Sequence, residues 1–186
     1  LFYEDGDSVV KRIENDKPIL HIMSHQILPI IDLAFESYEN RLRVIEMVRH
    51  PLHLLDHWIS YMDRYGTDAR DFTIWINHKD KALPWFAYGW EDKYLKSDSF
   101  DRVIYSIEFL WNKGNSIFDK LKKDYQNNIL FIPFEKFVLD PNPYLFDIEK
   151  LLNTKRTRKT KKVLKKQKVP RKQVTAGPAT KIYKRY

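Results

Sequence analysis

Three short runs constrain the fold of this chain more than any other feature. Pro18–Ser24 (PILHIMS), Arg43–Val48 (RVIEMV) and Asn128–Pro133 (NILFIP) are dominated by apolar residues over lengths that suit strands. Helical spacing surrounds them. Pro29–Tyr38 carries Ile30, Ile31, Leu33, Ala34 and Tyr38 at such spacing, and Leu52–Tyr65 aligns Leu54, Leu55, Trp58, Ile59 and Met62 on one stripe. Ser97–Tyr125 reads as a long helix with Ser97 or Ser99 as its N-cap. Pro143–Leu152 reads as another, capped by Asn142. Strands that are apolar throughout, alternating with helices, predict an α/β fold: a parallel central sheet flanked by helices on both faces. Residues 66–97 read as irregular and aromatic-rich.

The composition supports one folded domain spanning 1–186, with a core over 18–152 and a basic C-terminal segment over 153–186. The chain has 186 residues and 43% hydrophobic content, enough to bury a real core. It has no cysteine, which excludes disulfides and thiolate metal sites and points to a reducing, cytoplasmic compartment. A Golgi lumen stays open as an alternative, because the sequence begins at Leu1 and a leader could precede it. No apolar run approaches the length of a transmembrane helix.

The net charge of +8 is concentrated. Lys155–Lys172 holds eleven Lys and Arg and no acid, leaving 22 basic residues against 25 acidic ones elsewhere, a balance of −3. A run of this kind is a solvated helix face or a polyanion contact. It reads as helical up to Pro170, and Gly177-Pro178 then breaks the chain.

The candidate functional residues lie just past the predicted strands: His25 beside Ser24, Arg49, and Glu135. Ligands of parallel sheets bind at the strands' carboxyl ends, so one site is expected there. Arg49 offers a planar fork of donors suited to phosphate, and Pro51 opens a helix whose N-terminal N–H groups favour an anion. A surface Arg paired with an Asp is the alternative. His25 is placed to take a proton from a hydroxyl, or to serve as a hydrogen-bonded core histidine. Glu135 suits a structural acceptor of backbone N–H groups better than a catalytic acid. His78 is a second candidate for proton handling. The six histidines form no zinc pattern, so no metal is expected.

Four blocks resemble the sulfotransferases that use 3′-phosphoadenosine 5′-phosphosulfate (PAPS). ILHIMSHQILP (19–29) is similar to the region of that family holding the catalytic base. RVIEMVRHPLHLLDHWISY (43–61) is similar to its 3′-phosphate-binding strand and helix. ILFIPFEKFVLDPNPYLFDIEKLL (129–152) resembles its Tyr-Glu block, with Phe134-Glu135 at that pair, and VPRKQVTAG (169–177) resembles its C-terminal Arg-Lys-Gly loop. The resemblance implies a P-loop NTPase-like sulfotransferase fold, seen in part, and a donor nucleotide (PAPS, or PAP after transfer). It implies that Arg49 binds the 3′-phosphate, that Arg171 and Lys172 close over it, and that His25 deprotonates the acceptor. The family's 3′-phosphate serine falls at His57 here, with Ser60 three residues on; either could serve. Gly177 comes later than the family's loop glycine. The family's 5′-phosphosulfate loop has no counterpart, which implies that it precedes Leu1.

The aromatic stretch, with Trp85, Phe86, Tyr88 and Trp90 beside Lys79, Asp80 and Lys81, suits an acceptor pocket for a small-molecule or carbohydrate hydroxyl. A set of core anchors under a long loop is the alternative. Two rival functions stand beside sulfuryl transfer. One is a nucleic-acid or polyanion-binding module using 155–172, although no nucleic-acid signature beyond charge is present. The other is a sulfotransferase-like scaffold without catalysis.

Overall fold

The computed structural model describes residues 5–16, 21–24, 27–62 and 73–174. Its elements run α1 (Gly6–Asp16), α2 (Ile31–Tyr38), β1 (Val44–Val48), α3 (Pro51–Met62), β2 (Trp75–His78), β3 (Lys81–Pro84), α4 (Glu91–Lys96), α5 (Ser99–Tyr125), β4 (Ile129–Pro133), α6 (Phe134–Leu139), α7 (Asn142–Leu152) and α8 (Arg158–Lys166). The architecture is mixed α/β, as expected, with a small sheet among many helices.

β1 and β4 form a parallel pair, from Val44 opposite Ile129 to Val48 opposite Pro133. Val44 and Ile129 face one way, into a cluster with Ile31 and Phe35 of α2 and Ile117 of α5. On the opposite face Ile132 is fully buried, whereas Met47 beside it is 44% exposed. The sheet is therefore covered on both faces only over β4, and β1 keeps one open side.

A third parallel strand does not extend the pair among the described residues. The expected strand over Pro18–Ser24 is corrected where it can be seen: residues 21–24 are exposed and irregular, and 18–20 lie outside the described residues. A short apolar run without a ladder partner gains nothing from being extended, and its composition alone does not distinguish strand from other buried structure.

The second cluster gathers Leu55 and Met62 of α3, Leu83, Phe86, Ala87, Tyr94 and Val103. The 27-residue α5 joins both clusters, with Val103 in one and Ile117 in the other. Its first turn is capped by Asp98, whose carboxylate accepts from the Asp101 N–H at 2.8 Å, rather than by Ser97 or Ser99. Asn142 is likewise inside α7 rather than its cap; Pro141 holds that position with no side-chain bond.

Of the stretch expected to be irregular, 66–72 lie outside the described residues, whereas 75–78, 81–87 and 91–96 are regular. β2 and β3 form an antiparallel hairpin closed by Lys79 and Asp80, both with positive φ (49° and 61°). That is the backbone of a primed two-residue turn, whose twist suits a hairpin. The sequence signal was absent because neither turn residue is glycine or asparagine.

α8 is capped by Thr157, whose hydroxyl accepts from Lys159 N–H while Thr160 reaches back to accept from the Thr157 N–H. The helix stops at Lys166, short of Pro170, because Lys168 takes a left-handed φ of 54° and Val169 N–H bonds to the Leu164 carbonyl at 2.9 Å. That turn folds the chain back toward α6. No described helix is long and apolar enough to cross a membrane.

Candidate functional site

Parallel pairing sets the site. Because Val48 lies opposite Pro133, the residues that follow, Arg49 and Phe134, leave the sheet side by side. The Arg49 guanidinium carbon sits 5.1 Å from the centre of the Phe134 ring. The next pair is equally close: the Glu135 carboxylate accepts from the His50 N–H at 3.0 Å, across 85 residues of sequence. Glu135 is thus a structural acceptor that ties α3 to α6.

The C-terminal segment enters at the same place. Arg171 donates its backbone N–H to the Val138 carbonyl at 2.6 Å, anchoring the chain to α6. Its guanidinium carbon lies 5.7 Å from the centre of the same Phe134 ring. Two guanidinium groups therefore converge on one aromatic ring, two distances that place them within about 11 Å of each other. Both fall within the range of a cation–π contact. Neither has a carboxylate partner among the described residues. At the outer limit of that spacing their repulsion is about 0.4 kcal/mol in water; it rises as they draw closer and falls as salt screens it. An anion held between them would gain from both. Lys172 follows, exposed.

α3's first turn contributes less than its sequence promised. The His50 N–H is taken by Glu135, Pro51 has none, the Leu52 N–H donates to His50 Nδ1 at 3.3 Å, and the His53 N–H bonds to the His50 carbonyl at 2.9 Å. These donors, which would otherwise be open to an anion, are engaged within the protein. Anion affinity at this corner rests on the guanidinium groups.

His57 and Ser60 are both exposed on α3, about 9 Å and about 14 Å along the axis from Pro51. The Ser60 hydroxyl donates to the His57 carbonyl at 2.7 Å, so its proton is engaged within the helix. The His57 ring packs edge-on to Tyr61 at 4.8 Å and lies nearer the Arg49 end. His25 lies outside the described residues.

The four aromatic candidates do not form a shared lining. Phe86 is fully buried in the core, and Trp90 donates its indole N–H to the Phe86 carbonyl at 2.8 Å. Trp85 packs against Phe86 and Phe109, with the Lys113 ammonium 5.4 Å above it. Only Tyr88, 69% exposed, presents its ring freely to solvent. Three of the four are core anchors or their neighbours.

His78 is held by Asp92, Nε2 to Oδ1 at 3.0 Å, and Lys79 Nζ meets the same oxygen at 2.7 Å. The Lys79 and His78 hydrogen bonds hold the Asp92 carboxyl down to about 2. The arrangement pins the hairpin tip to α4; it orients His78 without bringing it to Arg49.

Two residues escape the sequence reading, Phe134 at the site and Glu46 in β1. Phe134 was legible only as half of a Phe-Glu pair, though its place directly after β4 matches that of Arg49 after β1. Glu46 stands half-buried inside β1, opposite Phe131, and desolvation raises its carboxyl above the ordinary range. Among the described residues, no three His, Cys, Asp or Glu gather as metal ligands. Compared with protein-family models, with curated proteins and with solved structures, the chain matches none.

Proposed function

We propose that this chain binds the 3′-phosphate end of PAPS and belongs to a sulfuryl-transfer enzyme with a P-loop NTPase-like sulfotransferase fold. The observation that carries the reading is the convergence of Arg49 and Arg171, 122 residues apart in sequence, on the Phe134 ring at the carboxyl end of a parallel strand pair. Position and charge agree: such strand ends are where α/β proteins take their ligands, and guanidinium forks match phosphate oxygens. Arg49 and Arg171 bind the phosphate, and Lys172 adds charge beside them. His57 is the better placed of the two α3 candidates, because the Ser60 proton is engaged by a backbone carbonyl.

In the reaction, the acceptor hydroxyl oxygen forms a bond to sulfur as the bond from sulfur to the bridging phosphate oxygen breaks. PAP leaves with the electron pair, and the hydroxyl proton passes to His25. Transfer of this kind needs positioning and charge neutralisation more than covalent help.

Calorimetry with 3′,5′-ADP on the full chain tests the reading. Saturable binding is expected, weakened about tenfold or more in Arg49→Ala and in Arg171→Ala, since each loses a charged hydrogen bond of roughly 1.5–3 kcal/mol. No binding, or binding indifferent to both substitutions, would sink it.

A further inference from the structure

We propose that α8 is a docking rail for an acidic polysaccharide, and that this polymer is the hydroxyl acceptor. The proposal rests on the sulfuryl-transfer reading and names its acceptor class. α8 is nine residues long and carries Arg158, Lys159, Lys161, Lys162, Lys165 and Lys166. At 100° per residue these six cations fill one continuous arc of about 160°. Thr160 and Leu164, the two residues of α8 that are not fully exposed, lie on the opposite side. The cations are therefore turned to solvent. Among the described residues none of them has a carboxylate in ion-pair contact, and the sequence contains no Asp or Glu after Glu149.

The rail leads to the site. Val169 N–H bonds to the Leu164 carbonyl, closing the end of α8, and Arg171 is two residues further on. Two residues span at most about 7 Å. A linear polyanion lying along α8 would thus reach the edge of the candidate donor site, beside Arg171, without leaving positive surface.

Chemistry selects among polyanions. An anionic membrane would need large apolar side chains to insert, and α8 exposes only Val163. Single-stranded nucleic acid is gripped by aromatic stacking, and α8 has no aromatic residue. Duplex DNA offers hydroxyls only at its ends. An acidic polysaccharide supplies both repeated negative charge and a hydroxyl on every sugar. Arg158, Lys162 and Lys166 form a row at four-residue spacing, about 6 Å apart along the axis, able to meet successive charges of an extended chain.

The test uses the full chain, with and without the triple substitution Arg158→Gln, Lys162→Gln, Lys166→Gln. Fluorescence anisotropy is read for a size-defined heparin oligosaccharide, a duplex DNA and a tRNA across 50–300 mM NaCl. The expected result is heparin binding at least tenfold tighter than either nucleic acid at 150 mM. The triple variant is expected to lose tenfold or more, with the slope of log affinity against log salt shallower by about two. Its affinity for 3′,5′-ADP stays within twofold of the parent. Unchanged heparin affinity in the variant overturns the proposal, as does equal or tighter binding of tRNA or duplex. Heparin binding is read without nucleotide, so a chain that binds heparin but not 3′,5′-ADP refutes the sulfuryl-transfer reading and the acceptor role with it, and leaves the rail standing as a binding surface.

Discussion

At the residue scale, the site is a ring with two charges on it. Phe134 does for Arg49 and Arg171 what neither does alone: it gives both guanidinium groups one apolar surface to lie against, so that their N–H edges remain for a ligand. Each such contact is worth about 0.5–1 kcal/mol at an exposed position. Phe134→Leu keeps apolar bulk but removes the ring, so a loss of about 1–2 kcal/mol in 3′,5′-ADP affinity is expected, roughly five- to thirtyfold by calorimetry. Phe134→Tyr should bind within a few-fold of the parent; equal loss in both variants would mean that the ring face is irrelevant. Glu46 gives a second prediction of opposite character. Burial raises its carboxyl above the usual 4.5, so the ionised form opposes folding and its cost appears as pH rises through the raised value. Glu46→Gln should therefore melt higher than the parent at pH 7, and the gap should close below about pH 4.5, where both side chains are neutral. Thermal melts at pH 4 and pH 7 read this directly, and a gap independent of pH would remove desolvation as its cause.

At the element scale, how much was legible followed from how much each element depended on its own sequence. β1, β4, α3, α5 and α7 declared themselves because apolar runs and helical stripes persisted over enough residues. The hairpin β2–β3 did not: its strands have four residues each, and its turn uses Lys79 and Asp80 where only a positive φ, not a glycine, marks the bend. The caps are illegible for a related reason. Asp98 and the neighbouring serines are all competent N-caps, so residue type does not choose among them; the choice shows only in the Asp98 bond to the Asp101 N–H. Of the site, Arg49 and Arg171 could be suspected from their chemistry, but their meeting on Phe134 depends on parallel register between strands 85 residues apart, which no local pattern encodes. Packing at Gly114 is another such fact. An added Cβ there would lie 3.0 Å from Leu28 Cδ2 and 3.2 Å from its Cγ, so the body of Leu28 as well as its tip must give way. Alanine would gain about 1 kcal/mol in helix propensity, while overpacking costs about 1–3. Gly114→Ala is therefore expected to be destabilising by about 1 kcal/mol, a fall of roughly 2–4 °C in Tm. In a Leu28→Ala background the same change should be neutral or stabilising, and a fall there too would place the strain elsewhere.

At the scale of the whole molecule, the two halves of the candidate site belong to different parts of the chain. Arg49 extends from the sheet, braced by β4 and by the Glu135 bond to His50. Arg171 arrives after the basic helix, on a segment fastened to α6 through the Val138 carbonyl. A phosphate that bridges them ties the C-terminal segment to the core, so binding should be visible far beyond the two side chains. With 3′,5′-ADP at about 100 times its Kd, linkage predicts about 2.7 kcal/mol of added stability, roughly 5–10 °C in Tm for a chain of this size. Amide hydrogen exchange should show where that stability goes: protection is expected to rise at residues 167–174 and at 48–53 together. Arg171→Ala should abolish the C-terminal protection while leaving part of that around Arg49, because only one end of the bridge is lost. Protection confined to 48–53 in the parent chain would mean that the nucleotide binds without engaging the C-terminal segment, and the two-arginine site would then be reduced to Arg49 alone.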